Sequence, residues 1–193
     1  MSAELNRRFL ALALMLILSH HRAHGWRSFK IVFGRFEYEA NAKLMDVKIE
    51  LQNNSKSSLN VVVNTLEILD NVEVASRVSL ETEPGNYTNL ISRNVNFCKM
   101  LMERNVDPLA RSIYQDMQRY GKFFKECPIQ KGTYSLHDYV LDEELLPSFL
   151  PETNFKTSIR LFKPNSEQIF KGLFYGRIDK SKGFNNLKMF SMG

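Results

Sequence analysis

The sequence predicts a mainly β protein, an antiparallel β-sandwich with a helical insert between its two cysteines, Cys98 and Cys127. Three observations carry that prediction. Apolar and polar residues alternate in about eight short runs separated by turn residues, the pattern of a sandwich. The stretch between the cysteines switches to helical spacing. The first two dozen residues read as an export signal, which would place both thiols in an oxidising compartment where two cysteines most simply form one disulfide.

The export signal sets residues aside from the fold. Arg7 and Arg8 precede an unbroken apolar run, Phe9 to Leu18, and Ala23-His24-Gly25 supplies small residues where a signal peptidase reads them. A basic start, about ten apolar residues and a small-x-small exit make a secretory signal, with cleavage expected after Gly25. The run falls short of the roughly 20 apolar residues that cross a bilayer, so no stable membrane insertion is expected. The competing reading is a short interfacial anchor. Residues 26–193 then form one domain, long enough to bury its own core.

Processing also changes the chemical inventory. His20, His21 and His24 leave with the signal, so His137 is the histidine that remains. Three of the 26 basic and one of the 21 acidic side chains leave too, and the formal net charge falls from +5 to +3. Those basic residues are interleaved with acids, whereas a nucleic-acid binder gathers them on one face, so no nucleic-acid partner is expected. Lys180-Ser181-Lys182 reads as a solvated turn. Two glycosylation sequons begin at Asn53 and Asn86, in stretches (53–58 and 84–89) that also read as turns from which a glycan would project into water.

The elements follow in order. Phe29, Ile31 and Phe33 alternate, and Phe36 and Tyr38 resume in the opposite parity after Gly34, which predicts a bulge. Met45, Val47, Ile49 and Leu51 alternate with charged residues, predicting a strand with one buried face. Leu59, Val61 and Val63 start another strand, with Leu66 and Ile68 in shifted parity. Val72, Val74, Val78 and Leu80 form a fourth. After Pro84-Gly85 the character changes, and Phe97, Leu101 and Met102 fit a short helix around Cys98. Asp107-Pro108 is a helix start, since Asp caps free amides and Pro suits the first turn. Leu109, Ile113, Met117 and Tyr120 make a one-sided stripe expected to pack on the sheet, with Gly121 as a left-handed stop. Strand character returns from Thr133 to about Leu141. Two prolines, Pro147 and Pro151, predict a stiff irregular loop across 142–151. Phe155, Thr157, Ile159 and Leu161 alternate again. Residues Ile169 to Ile178 are apolar on both parities, as in a central strand or one covered on its outer face.

Three strings carry a family resemblance: Asn96-Phe97-Cys98-Lys99-Met100-Leu101, Cys127-Pro128-Ile129-Gln130-Lys131-Gly132-Thr133-Tyr134, and Leu146-Pro147 to Leu150-Pro151. Together they resemble an insect secreted family labelled domain of unknown function 1091, which includes CheB-type chemosensory proteins and is distantly similar to the ML lipid-recognition superfamily. The resemblance implies an immunoglobulin-like, ML-type β-sandwich with an apolar cavity between its sheets. It also implies a chemosensory setting, as some members are linked to gustatory or pheromone sensing.

The motif also has its own physics. A Cys98–Cys127 bridge would close a loop of about 30 residues and contribute roughly 3–4 kcal/mol. A reactive or intermolecular thiol is the alternative. Gly132 is expected at a positive φ or a close backbone approach. Lys131 reads as a solvated lysine before a lipid-headgroup contact.

Catalytic machinery is not visible. A Ser-His-Asp arrangement would need His137, whose neighbour Asp138 falls on the opposite face of a strand. No Gly-x-Ser-x-Gly elbow, His-Glu-x-x-His helix or Gly-rich phosphate loop occurs. With the cysteines paired a zinc site lacks ligands, and Glu143-Glu144 in a proline-bounded loop reads as solvated. No enzyme activity, cofactor or metal is expected. The sequence holds fourteen phenylalanines, all but Phe9 beyond the expected cleavage point. Aromatic residues commonly line apolar ligand pockets. The expectation is therefore a secreted, extracellular protein binding a lipid or other small hydrophobic molecule. Val47, Ile49, Val61, Val63, Phe155, Ile159 and Leu161 would form the walls, and Phe149 and Leu150 the rim. A closed, fully packed core is the competing reading, since sequence does not separate the two. The alternative function is a secreted interaction module that modulates a membrane receptor or channel without holding a lipid.

Overall fold

The computed structural model describes residues 29–53, 57–103 and 105–180. The expected export signal, Asn54-Ser55 of the first sequon and Ser181-Lys182 lie outside the described residues. Among the described residues eight strands form two antiparallel sheets: β1 (Lys30–Ala40), β2 (Met45–Asn53), β3 (Ser57–Thr65), β4 (Glu73–Glu83), β5 (Asn86–Asn96), β6 (Gly132–Tyr139), β7 (Thr153–Phe162) and β8 (Gln168–Asp179). The larger sheet has the order β1-β8-β7-β4-β5 and the smaller β2-β3-β6. Two helices, α1 (Phe97–Met102) and α2 (Pro108–Met117), and a 3₁₀ turn at Gln118–Tyr120 lie between β5 and β6.

The pairing follows the alternation. In the small sheet Val47 faces Val63 and Ile49 faces Val61, so four β-branched side chains sit side by side on the inner face. In the large sheet β1 shifts register between Phe33 and Arg35, the bulge that the parity switch at Gly34 predicts. Strand β8 pairs with β1 on one side and β7 on the other, which explains its double-sided apolar character.

Four sequence expectations need correction. Strand β5 was not anticipated. It forms a hairpin with β4 across Pro84-Gly85, with Glu83 opposite Asn86 and Gly85 at φ +79°, the pattern of a type II turn. The second sequon therefore starts a strand, with Asn86 exposed at its first position. Leu66 and Ile68 do not extend β3. Thr65 ends it by donating its hydroxyl to the carbonyls of Gln130 (2.7 Å) and Gly132 (3.1 Å), and both apolar residues stay exposed. Gly121 is no left-handed stop: its φ of 161° is extended backbone. A glycine is needed there because a Cβ would sit 2.1 Å from the Ser135 carbonyl oxygen, where the chain runs along the edge of β6. The fourth correction concerns where α2 packs, described below. Gly132 does have the expected positive φ, 148°.

Hydrogen bonds tie the two sheets together along one side. On the β1–β2 side, Ser57 Oγ accepts from Phe33 N (2.9 Å) and Tyr38 donates to the Val47 carbonyl (3.0 Å). At the far edges, β5 and β6, the helical insert spans the gap. Its two ends are joined by the Cys98–Cys127 disulfide, and Ser135 N of β6 donates to the Lys122 carbonyl at 2.8 Å. Core residues fall in two groups, one around Val72, Phe97, Ile129 and Ile169 and one around Phe29, Leu136, Phe155 and Ile178.

Candidate ligand cavity

A cavity of about 520 Å³ lies between the sheets. Each wall is built by period two. Val47, Ile49, Val61 and Val63 of β2 and β3 line one side, and Phe155, Thr157, Ile159 and Leu161 of β7 line the other. Alternation puts i, i+2 and i+4 on one face, so choosing one inward residue fixes the rest. Val78 and Leu80 of β4 and Phe174 of β8 widen the large-sheet wall. All nine residues expected as wall or rim are cavity residues. At the rim, Leu150 turns inward and is buried, while Phe149 is 74% exposed.

The insert covers the open side. Asp107 caps α2 by accepting from Ala110 N at 2.9 Å, and Pro108 starts the helix. The resulting stripe of Leu109, Ile113 and Met117 faces the cavity, and this is the fourth correction: α2 roofs an open space where packing on a sheet was expected. Two groups of contacts fix the roof. Arg111 donates to the Met100 and Glu103 carbonyls, holding α2 against the end of α1. Tyr114 donates to the Phe124 carbonyl, and Phe97 meets the rings of Tyr114 and Phe124 edge-on at 5.6 and 6.2 Å.

Electrically the lining is almost neutral. Among the described residues no charged side chain lines the cavity, and Thr157 and Tyr139 are the two lining residues that carry a hydroxyl. Tyr139 is 6% exposed, its hydroxyl is buried without a hydrogen-bond partner, and its ring meets Tyr120 edge-on at 5.1 Å. Burial pushes the Tyr139 hydroxyl well above the usual phenol range, and the nearby Asp116 carboxylate adds to the effect. Asp116 itself is buried. Desolvation raises its carboxyl above the ordinary carboxylate value, against the opposing pull of Arg119, 3.4 Å away.

The remaining sequence candidates lie elsewhere. His137 is exposed beside Ser135 Oγ (3.1 Å) and is not a cavity residue. Lys131 pairs with Glu67 at 3.1 Å on the surface. Glu143 and Glu144 sit in a short 3₁₀ turn capped by Asp142. Among the described residues no His, Cys, Asp or Glu cluster is placed to hold a metal, and no helix is long and apolar enough to cross a membrane. Tyr139 and Asp116 escaped sequence reasoning because an unpartnered buried oxygen has no signature in the sequence.

No curated protein matches this sequence. Solved structures distantly similar to this chain include the following two. Chicken MD-1, solved with lipid IVa, is 12% identical over 77% of this chain and 96% of its own, with a TM-score of 0.36. A Niemann-Pick type C2 protein from the Japanese carpenter ant is 10% identical over 77% of this chain and 92% of its own, with a TM-score of 0.32. Likenesses at these scores carry no conclusion about ligand or role. Residues 71–157, the stretch that holds both cysteines, the helical insert and the proline-bounded loop, match the model of the family described as protein of unknown function (DUF1091), the family that the cysteine motifs resemble.

Proposed function

We propose that this protein is a secreted, non-enzymatic carrier of a lipid or other small hydrophobic molecule, held between its sheets. The supporting observation is the cavity: about 520 Å³, within the range of small-molecule sites, and lined without a charged side chain. A void of that size in a protein interior forfeits dispersion contacts on every wall, so its natural occupant is apolar. Export, glycosylation at Asn53 and Asn86 and a chemosensory setting belong to the same proposal.

Native mass spectrometry of the secreted protein, with displacement of an uncharged fluorophore, tests the carrier role. One lipid-sized adduct per chain and competitive displacement are expected. No adduct and no displacement would remove the carrier reading and favour the second one, docking on a membrane receptor or channel. The surface observation behind that alternative is the exposure of Met102 (73%) and Phe149 (74%), both on connections outside the sheets.

A further inference from the structure

Resting on the carrier reading, we infer that the ligand passes through an opening bounded by β5, α2 and the loop 142–151, with Leu90 and Phe149 as its lips, and that the ligand is an amphiphile whose one polar end stays at this opening. Exposure locates the opening. Among the described residues that line the cavity, the exposed ones are Leu90, Pro147 and Phe149. Leu90 is 45% exposed and Phe149 74%, so each large apolar side chain meets both water and the cavity. Leu90 owes its place to a bulge. Val78 of β4 faces Ile91, and the next residue, Ser79, faces Asn89, which leaves Leu90 as one residue too many on β5. Neighbours in a regular strand point to opposite faces, yet Leu90 and Ile91 both line the cavity. The bulge thus turns an extra apolar side chain toward the cavity at the edge of the large sheet, the use that bulges beside functional sites commonly serve.

Three contacts mark the corners of the opening. Arg93 of β5 meets Asp107, at the start of α2, at 3.6 Å. The far end of α2 lies against the 3₁₀ turn of the loop, where the Asp142 backbone N–H donates to Asp116. The loop then returns to the large sheet: Thr153 donates its hydroxyl to the Glu81 carbonyl at 2.7 Å, and Glu81 faces Tyr87 of β5. Leu90 lies between Tyr87 and Arg93 on one side of this frame, and Phe149 between Asp142 and Thr153 on another. The frame also selects the shape of the ligand. Inside it the lining offers no charged side chain, so a polar group carried inward loses water and finds little in exchange. At the opening the same group keeps its water. A molecule with one polar end meets both conditions, and a molecule polar at both tips does not.

The test uses the lipid-free secreted protein and N-phenyl-1-naphthylamine as the probe, followed by stopped-flow fluorescence. Leu90→Cys and, separately, Phe149→Cys are coupled to a maleimide-linked polyethylene glycol. Val62→Cys, exposed on the smaller sheet and not a cavity residue, carries the same polymer as the control. Each uncoupled variant is expected to bind the probe as wild type does, which checks that it folds. Polymer at position 90 or 149 is expected to slow probe association and dissociation together, by about tenfold or more, with little change in Kd. Rates equal to the Val62 control at both positions overturn the inference and leave the carrier reading standing. At equilibrium, an n-alkanol is expected to displace the probe at concentrations about tenfold below the α,ω-alkanediol of the same chain length, the cost of one hydroxyl taken from water. A diol that competes as well as the alkanol overturns the one-ended ligand. Wild type that binds no probe and carries no lipid adduct ends the carrier reading and this inference together.

Discussion

Asp116 is 4% exposed and leaves one carboxylate oxygen, Oδ2, without a partner. Burial raises its proton affinity above the ordinary value of 3.8. Arg119 opposes the shift, Asp142 adds to it through its charge, and the Asp142 backbone N–H opposes it again. A carboxyl whose folded-state pKa is raised binds its proton more tightly in the folded than in the unfolded chain. Its ionisation therefore costs stability above the raised pKa, costs less as pH falls through it, and costs nothing below the unfolded value. Asp116→Asn keeps the shape of the side chain and carries no charge. It is expected to be more stable than wild type at pH 7, with the gap closing as pH approaches 4 in urea titrations. A variant less stable at pH 7 would mean that the Arg119 pair outweighs desolvation, although exposed pairs are usually weak. Gly121 is a second residue-scale case. A methyl group there would overlap the Ser135 carbonyl oxygen, so Gly121→Ala should cost about 1–3 kcal/mol in chemical denaturation, the range for overpacking. The sequence points to a glycine at the end of a helix but not to this reason for it, since the neighbour lies fourteen residues on, across the edge of β6.

At the scale of elements, the disulfide and the insert form one device. Cys98 sits in the first turn of α1, straight after β5, and Cys127 lies just ahead of β6, so the bridge joins the ends of the insert where the two sheets part. Replacing both cysteines by alanine releases a 29-residue separation and should cost about 3–4 kcal/mol. Hydrogen exchange reads the location of the effect: the amides of α2 should lose protection before those of β7. Equal loss in both would mean that the bridge stabilises the sandwich as a whole and not the roof. Most of this arrangement was legible. Strand β2 announces itself because each inward Val or Ile is separated by a charged residue, and α2 because Asp107-Pro108 and a one-sided stripe coincide. Strand β5 did not, for a physical reason: it is an edge strand on which Val95 alone is buried, so no apolar alternation is required of it. The signal that would have found it is the two-residue Pro84-Gly85 turn closing a hairpin onto β4. The destination of α2 was also hidden, because an apolar stripe looks the same whether it meets a sheet or roofs a void.

For the whole molecule, the question is whether the space between the sheets is a cavity or a core. Period two specifies which side chains share the inward face, as Val47, Ile49, Val61 and Val63 do along one wall of the cavity. It does not specify how far apart the walls stand, nor that the stripe of α2 would line the space between a five-stranded and a three-stranded sheet. Enlarging a wall residue separates the two cases by sign. In a packed core, adding ring volume forces strained rotamers and costs about 1–3 kcal/mol. In a cavity of this size, the same ring gains dispersion contacts and buries apolar area that otherwise faces empty space. Val61 suits the test: it lies on β3, the middle strand of the smaller sheet, opposite Ile49 and Leu136, and lines the cavity. Val61→Phe is expected to leave the lipid-free protein as stable as wild type or more so in urea. It should also weaken displacement of the uncharged fluorophore about tenfold or more, because the added ring occupies space the ligand needs. Saturating ligand at about 100 times its Kd should then stabilise wild type by about 2.7 kcal/mol and the variant by clearly less. A variant that loses stability and binds as before would show a closed core, with the fluorophore seated elsewhere.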